Sequence, residues 1–471
     1  MRYLKYLLSA FTLMLSVSAY SQTDSLLNLQ QCVDIAIKNN LDVKRSELDM
    51  QTSRVYYNQA RENLLPTLNG SVNHSISSGR DPFSNGSSSG STTAADYSLN
   101  SDLVLFNGLS LQNSIRQTSL AYQAGKMDFQ QAKDNITLNV ITAYLQVQNN
   151  VDLLTQATAQ VDVSKKQTER LNIMNKEGGV KPSEYYDVKG QLATDQVTYI
   201  NAKNALALSK LNLLQLMNVP YKSNIQLQRL NAEQLPGKYV STEDEVYNKA
   251  LSDLALVKAA TLRRQSAEKG VKAAKGSLFP TISIGGGVGT RYSSAARLTN
   301  FSDSSIVNTG TFVTSAGVRQ PVSAVQYGST KYAYFDQLRN SYNTQFNVGL
   351  RIPILNYFQN RNKIALAKIQ LLDAQYTEQN TLVKLKQNVE QAYLNMTAAY
   401  ERYSVVTDQV EAFAESFRIA EIRFNEGALN SVDYVVAKNN LDRANTSLIT
   451  ARYDYFIRTK ILDYYQGRLS L

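Results

Sequence analysis

Two stretches of this chain are almost free of helix breakers, and they limit the possible fold more than any other feature. Positions 109–176 hold no proline and one glycine, Gly125, while positions 357–426 hold neither. Within them apolar residues recur at Ile136, Val140, Ala143, Val147, Val151 and Leu154, and at Leu385, Val389, Ala392, Met396, Tyr400 and Tyr403. This is the three-four spacing of a helix with a coiled-coil-like seam. At 1.5 Å per residue each helix is roughly 100 Å long, far beyond the usual globular helix.

The two stretches are copies. A constant shift of 249 positions (356 minus 107) carries Asn107 onto Asn356, Val140 onto Val389, Tyr144 onto Tyr393, Glu177-Gly178 onto Glu426-Gly427 and Lys189 onto Lys438. Upstream, Leu65-Pro66 matches Phe279-Pro280 with a shift of 214, so the second copy holds 35 extra residues (249 minus 214). A two-unit duplication is unlike a solenoid and reads as one fold of two similar halves. Each long helix meets a break, at Gly178-Gly179-Val180-Lys181-Pro182 and at Gly427-Ala428-Leu429-Asn430, before a second helix from about 183 to 217 or 431 to 466. Glycine just past one helix and Pro or Ser opening the next predict antiparallel helical hairpins. Ser431 is the expected N-cap of the last helix, with Asp433 favoured by the dipole in its first turn; Glu184 and Asp187 are expected as solvated first-turn acids.

Four segments alternate with period two instead. Leu68, Gly70, Val72 and Ile76 oppose Asn69, Ser71, Asn73 and Ser75; Tyr97, Leu99, Leu103 and Leu105 oppose Asp96, Ser98, Asn100 and Asp102. The second half repeats the design with Ile282, Ile284, Val288 and Tyr292, then Phe346, Val348, Leu350, Ile352 and Ile354. Each run is about ten residues, the length of a tilted membrane strand, and Phe106, Phe279, Tyr357 and Phe358 stand where strands meet helices, as an interfacial girdle requires. Strands hung on long helical hairpins have no second layer over their apolar face, and lipid can serve as one. A membrane barrel must close to satisfy its backbone, and the smallest use about eight strands. Four per chain cannot close; three chains give twelve and two give eight. The Ser/Gly-rich segments from about 77 to 95, including positions 86–91, and from about 293 to 342 are expected as mobile external loops.

The first 21 residues place Arg2 and Lys5 before an apolar run and end in Ser18-Ala19-Tyr20-Ser21, a secretory signal. Past it, no apolar run is long enough for a transmembrane helix, so a membrane crossing falls to strands. The net charge of +10, or +8 without Arg2 and Lys5, comes without a Lys/Arg block and gives no nucleic-acid signature. One cysteine, Cys32, and one histidine, His74, cannot build a catalytic triad or a His/Cys metal site, so neither enzyme nor cofactor is expected. Cys32 is expected buried on a short helix, and His74 outward or near a loop on a strand. The run Gly285-Gly286-Gly287-Val288-Gly289 lacks the Lys-Ser/Thr and helix start of a phosphate cradle and fits a strand where small residues save space.

From about 29 to 466 the sequence resembles the TolC family of outer-membrane efflux proteins. The resemblance is carried by the duplication, by Leu65-Pro66 and Phe279-Pro280 leading into strands, by Leu105-Phe106-Asn107-Gly108 leaving one, and by the tips Glu177-Gly178-Gly179-Val180 and Glu426-Gly427-Ala428-Leu429. It implies a mixed fold: a trimeric twelve-stranded transmembrane β-barrel in the outer membrane, four strands per chain, continuous with a long periplasmic α-helical barrel. It also implies a homotrimer that docks a periplasmic adaptor (membrane fusion) protein and an inner-membrane RND or ABC transporter, forming a passive exit duct. The expected domains are the signal at 1–21, a first repeat at 22–220 (strand hairpin about 66–107, helical hairpin about 109–217), a connector at 221–245 and a second repeat at 246–471 (strand hairpin about 280–356, helical hairpin about 357–466).

By motif position, Asp433 matches an aperture aspartate of the family and Phe424 an aromatic constriction residue. Gly178, Gly179, Val180, Lys181, Pro182, Gly427, Ala428, Leu429 and Ser431 fall in the tips that would dock the adaptor. Val436 and Leu429 stand where the best-known member has an acid and a base, so closure here is expected to rest on packing rather than a salt-bridge latch. The competing reading is a structural or adhesive coiled-coil protein of the envelope without a through-pore, which would have no use for paired amphipathic strands.

Overall fold

The computed structural model describes residues 26–80, 89–221, 225–229 and 237–468; the signal segment and positions 86–88 of the first Ser/Gly run lie outside the described residues. In chain order the elements are α1 (Leu29–Asn39), α2 (Leu41–Glu62), β1 (Thr67–Arg80), β2 (Ser89–Phe106), α3 (Ser110–Lys176), α4 (Pro182–Leu216), α5 (Glu243–Asp253), α6 (Ala255–Gly276), β3 (Thr281–Ser293), β4 (Arg297–Ser315), β5 (Val318–Lys331), α7 (Tyr334–Asn340), β6 (Asn343–Arg351), α8 (Gln359–Asn425) and α9 (Ser431–Tyr465). The duplication holds to the residue. The pairs α1/α5 and α2/α6 have 11 and 22 residues and lie 214 positions apart, while α3/α8 and α4/α9 have 67 and 35 residues and lie 249 apart. Even the start signals recur: Asn28 with Gln31, and Thr242 with Glu245, form reciprocal capping boxes.

One compact unit comprises Met1–Arg54, Leu120–Gln265 and Leu372–Leu471. Its two largest buried clusters are one per repeat. Cys32, Ala36, Ile136, Val140, Val147 and Leu213 build the first, and their mates Val246, Ala250, Leu385, Val389, Met396 and Leu462 build the second. The predicted seam is therefore the buried stripe of both long helices, and each fully buried Leu, Ile or Val side chain contributes about 1.5–3 kcal/mol. Cys32 is fully buried on α1. The connector is pinned where it is described: Leu27 N–H donates to the Gln226 carbonyl at 3.0 Å, and Tyr144 Oη to the Gln228 carbonyl at 2.5 Å.

The other unit comprises Val55–Ser119 and Ser266–Leu371. Its antiparallel sheet has the order β1-β2-β3-β6. β4 and β5 form a separate two-stranded sheet. The segment expected as a mobile second loop is thus a hairpin followed by a short helix. Its serines and threonines read as loop composition, yet among them stand Ile306, Val307, Val313, Val322 and Val325, a β-branched content that suits strands. β1, β2 and β3 have 14, 18 and 13 residues, so they outrun the ten-residue segments seen in the periodicity. Gly108 adopts φ +66° beside Gly276, and a Cβ on Gly108 would collide with the Gly276 carbonyl oxygen and the Phe279 side chain. At the matching position 249 residues on, Tyr357 takes the same left-handed conformation without being glycine.

Candidate functional site

The strand register sorts the sheet into two chemically opposite faces. On one lie Leu68, Val72 and Ile76 of β1, Tyr97, Leu99 and Leu103 of β2, Ile282, Ile284 and Val288 of β3, and Phe346, Val348 and Leu350 of β6. His74 is on this face, opposite Ala95, as its strand position predicts. The other face carries Asn69, Asn73, Asp96, Asn100, Asp102, Arg291, Gln345, Asn347 and Arg351. Leu68, Val72, Ile76 and Phe346 are each about 70% exposed within the chain (69–74%), so this part of the apolar face has no protein layer over it, whereas α7 covers the end around Ala95, Tyr97 and Thr290. Gly285 lies on the polar face. A Cβ there would come within 2.8 Å of Asp102 Oδ1 and 2.9 Å of Asn347 Oδ1, which explains the glycine run as room for polar side chains.

At the turn of each helical hairpin the chain closes in the same way. Gly178 N–H donates to the Asn175 carbonyl at 3.2 Å and Gly179 N–H to the Met174 carbonyl at 2.8 Å; Gly427 and Ala428 repeat this on Phe424 and Arg423 at 3.2 and 2.8 Å. With φ of +76° and +73° at Gly178 and Gly427, both are Schellman ends. Lys181 precedes Pro182 at the start of α4 with no side-chain cap. The start of α9 corrects one expectation: Asn430, not Ser431, is the N-cap. Asn430 has the extended backbone a cap needs and accepts the Asp433 N–H at 2.8 Å, whereas Ser431 is already the first helical residue. Asp433 is exposed, with Asn430 Nδ2 donating to its Oδ2 at 2.9 Å.

The two turns are tied to each other. Phe424 is buried and stacks on Tyr434 with ring centroids 4.5 Å apart, inside a cluster with Leu171 and Val188. The repeat mates Val180 and Leu429 pack against that cluster. Ser431 Oγ donates to Asp187 Oδ2 at 2.8 Å, and Arg170 donates to the Asn425 carbonyl at 3.0 Å. Asp187 is therefore a partner between turns rather than simply a solvated acid. Burial pushes the Tyr434 phenol well above its ordinary value. Gly178, Gly179, Lys181, Pro182, Gly427 and Ala428 are exposed.

Farther along the same helices lies a buried ionic group that the sequence did not disclose. Lys438, 3% exposed, donates to Asp195 Oδ2 at 2.8 Å and to Asp442 Oδ2 at 2.6 Å. Asp195 also accepts from Ser164 Oγ at 2.5 Å and from Gln191 Nε2 at 2.7 Å, and Gln191 exchanges hydrogen bonds with Asn439 at 2.9 and 3.0 Å. The available signal was a lysine on the stripe Tyr434, Lys438 and Leu441, where a charge must find a partner.

Residues 32–219 and 246–467 match the family described as outer membrane efflux protein. The chain belongs to this family. It is 23% identical over 452 residues to the outer membrane protein TolC of Escherichia coli K12, covering 94% of this chain and 83% of that one. Among solved structures, the Campylobacter jejuni CmeC outer membrane channel superposes with a TM-score of 0.73 at 16% identity, covering 97% and 92% of the two chains. The Neisseria gonorrhoeae MtrE outer membrane channel, in its open state, gives 0.70 at 18%, covering 96% and 93%. The fold is thus that of the outer-membrane channels, with four strands in the main sheet and two repeats per chain. Its place is the outer membrane and its role an exit duct for efflux or secretion.

Proposed function

We propose that three copies of this chain form one passive duct that receives substrate from a periplasmic adaptor protein and an inner-membrane pump, of the RND or ABC type, and releases it outside. The observation that carries this reading is the open sheet with one predominantly apolar face. Its edges, β1 and β6, leave unpaired amide groups that lipid cannot satisfy, so β6 of one copy must pair with β1 of the next. In this reading the hairpin turns form the periplasmic end. Gly178, Gly179, Val180, Lys181, Pro182, Gly427, Ala428, Leu429 and Ser431 meet the adaptor, and three Asp433 carboxylates ring the aperture. Phe424 acts from within: stacked on Tyr434, it sets the position of the turn rather than lining the opening. Closure by packing is supported by the Leu171, Val188, Phe424 and Tyr434 cluster.

The test is native mass spectrometry of the detergent-purified protein together with planar-bilayer recording. A trimer that conducts only as a trimer is the expected result; a monomer that conducts alone overturns the reading. A fibre without a pore predicts no conductance at all, and it leaves the apolar sheet face without a purpose.

A further inference from the structure

The short helix α7 stands on the apolar face of the main sheet, held there by side chains of that face. Tyr97, opposite Thr290 in the register, and Tyr292, opposite Ala95, project to the same side as Leu99 and Val288. The Tyr97 and Tyr334 hydroxyls lie 2.5 Å apart, the Tyr292 and Tyr334 ring centroids 4.5 Å apart, and Thr290 Oγ1 donates to the Leu338 carbonyl at 2.6 Å. The buried Gln337 clamps the end of β3, accepting the Ser293 N–H at 2.8 Å and donating to the Ser293 carbonyl at 3.0 Å. Tyr334, Gln337 and Leu338 therefore face the sheet. Phe335 and Arg339, spaced i, i+4, share the ridge turned away from it, and both are exposed, Phe335 at 79%. Tyr342, which leads into β6, is 72% exposed.

The register also fixes how high α7 sits. A strand advances about 3.3 Å per residue, so at the tilt of a membrane barrel the steps from Ile282 to Tyr292 rise about 25 Å, the height of the apolar band. Nearer Ile282 the face is bare; α7 begins where that band ends. It cannot lie deeper, because Asp336, Arg339 and Asn340 would then meet hydrocarbon. Arg339 has no carboxylate partner among the described residues. Close by, Tyr332 accepts a hydrogen bond from Asn340 Nδ2 at 2.7 Å, and the residue before it, Lys331, lies directly opposite Arg297 across the hairpin stem. Like charges so paired destabilise a ribbon, and an anion relieves them. Asp336 is the one carboxylate of α7 against these three cations. Exposed aromatic rings beside cations, where hydrocarbon gives way to headgroups, fit the interfacial layer of a bilayer.

We propose that α7 anchors the outer wall of the barrel in the outer leaflet: Phe335 and Tyr342 enter the headgroup boundary, and Arg339 binds the phosphate of an anionic lipid there. This rests on the duct reading above, in which the apolar face meets lipid. The chain has no tryptophan, so a single introduced indole reports its own surroundings. The full-length protein carrying Phe335→Trp or, in the middle of the bare face, Val348→Trp is reconstituted in mixed phosphatidylcholine and phosphatidylglycerol vesicles, with one lipid or the other brominated on its acyl chains. Val348→Trp should lose most of its emission to brominated lipid of either headgroup. Phe335→Trp should be quenched too, with a preference of about fivefold for brominated phosphatidylglycerol, as one basic side chain at an anionic surface gives; adding Arg339→Gln should abolish that preference. If Phe335→Trp does not assemble, Tyr342→Trp carries the same test. Val348→Trp quenched while the α7 probe is not overturns the proposal, whether that probe emits as an indole in water or as one covered by a neighbouring copy. Equal quenching by the two lipids with Arg339 in place, or a preference that survives Arg339→Gln, overturns the phosphate contact. No quenching at Val348→Trp refutes the lipid-facing sheet itself.

Discussion

Lys438 shares one ammonium between the buried Asp195 carboxylate and the half-buried Asp442 carboxylate, leaving the group one negative charge in excess. Burial raises the Asp442 carboxyl above its usual value, and the Lys438 hydrogen bond and charge lower it only in part. The folded chain thus holds this proton more tightly than the unfolded chain does. Acidification from neutrality through the raised pKa therefore adds stability, complete once the pH falls below the unfolded value near 4, and the gain is lost as pH rises again. We expect Asp442→Asn to flatten the dependence of thermal unfolding on pH over that window, as followed by circular dichroism; an unchanged dependence would show that the charge excess is relieved elsewhere. Lys438→Met should lower stability by about 3–5 kcal/mol, because it strands two carboxylates without their cation. Asp433 offers the opposite case. Asn430 still caps α9 through the Asp433 backbone N–H when the carboxylate is neutralised, so Asp433→Asn removes only a first-turn charge worth about 0.3–1 kcal/mol. Single-channel conductance or export should change while trimer yield stays intact, and identical channel behaviour would place Asp433 outside the aperture.

At the scale of the elements, the two Schellman ends are the most sharply specified joints. Gly178 and Gly427 lie at φ of +76° and +73° with open space around them, so alanine there meets backbone strain rather than collision. Each change to alanine should cost about 1–2 kcal/mol, and the two costs should be similar because the turns are copies; denaturant titration of the helical signal measures both. These joints were legible in the sequence because glycine marks a left-handed position. The seam was legible for a related reason: Val140 and Val389 repeat a period that only one buried stripe satisfies. Other features were hidden by composition. Serine and threonine disguised β4 and β5 as loop, since a strand exposed on both sides has no strict alternation to reveal it. Asn430 lost the cap to Ser431 because either residue type can serve and only the backbone angles decide. Asp195, Lys438 and Asp442 are separated by 243 and by 4 positions, and the distant partner becomes visible only when α4 meets α9. Tyr357 and Phe358 adopt left-handed φ of 52° and 58° where Gly108 and Leu109 do so in the first copy, a constraint that aromatic side chains conceal.

For the whole molecule, the decisive matter is which face of the sheet meets hydrocarbon, and two adjacent residues of β6 can answer it. Val348 is paired with Ile284 on the apolar face, while Asn347 is paired with Gly285 on the polar face. If lipid covers the apolar side, Val348→Arg places a charge in the membrane at a cost of about 2–4 kcal/mol near the midplane, repeated in each of three copies. That is comparable to the whole net stability of a typical domain, about 5–15 kcal/mol, so assembled channel should be depleted from outer-membrane fractions. Asn347→Arg adds the same charge one position away, where the missing Cβ of Gly285 leaves space and water can solvate it. Assembly should then persist while the ion preference, read as the reversal potential in a salt gradient, shifts towards anions. The two variants have the same added side chain on the same strand, so a difference between them reports the face alone. The reverse pattern, with Val348→Arg assembling normally and Asn347→Arg lost from the membrane, would turn the barrel inside out and take the proposed lumen with it.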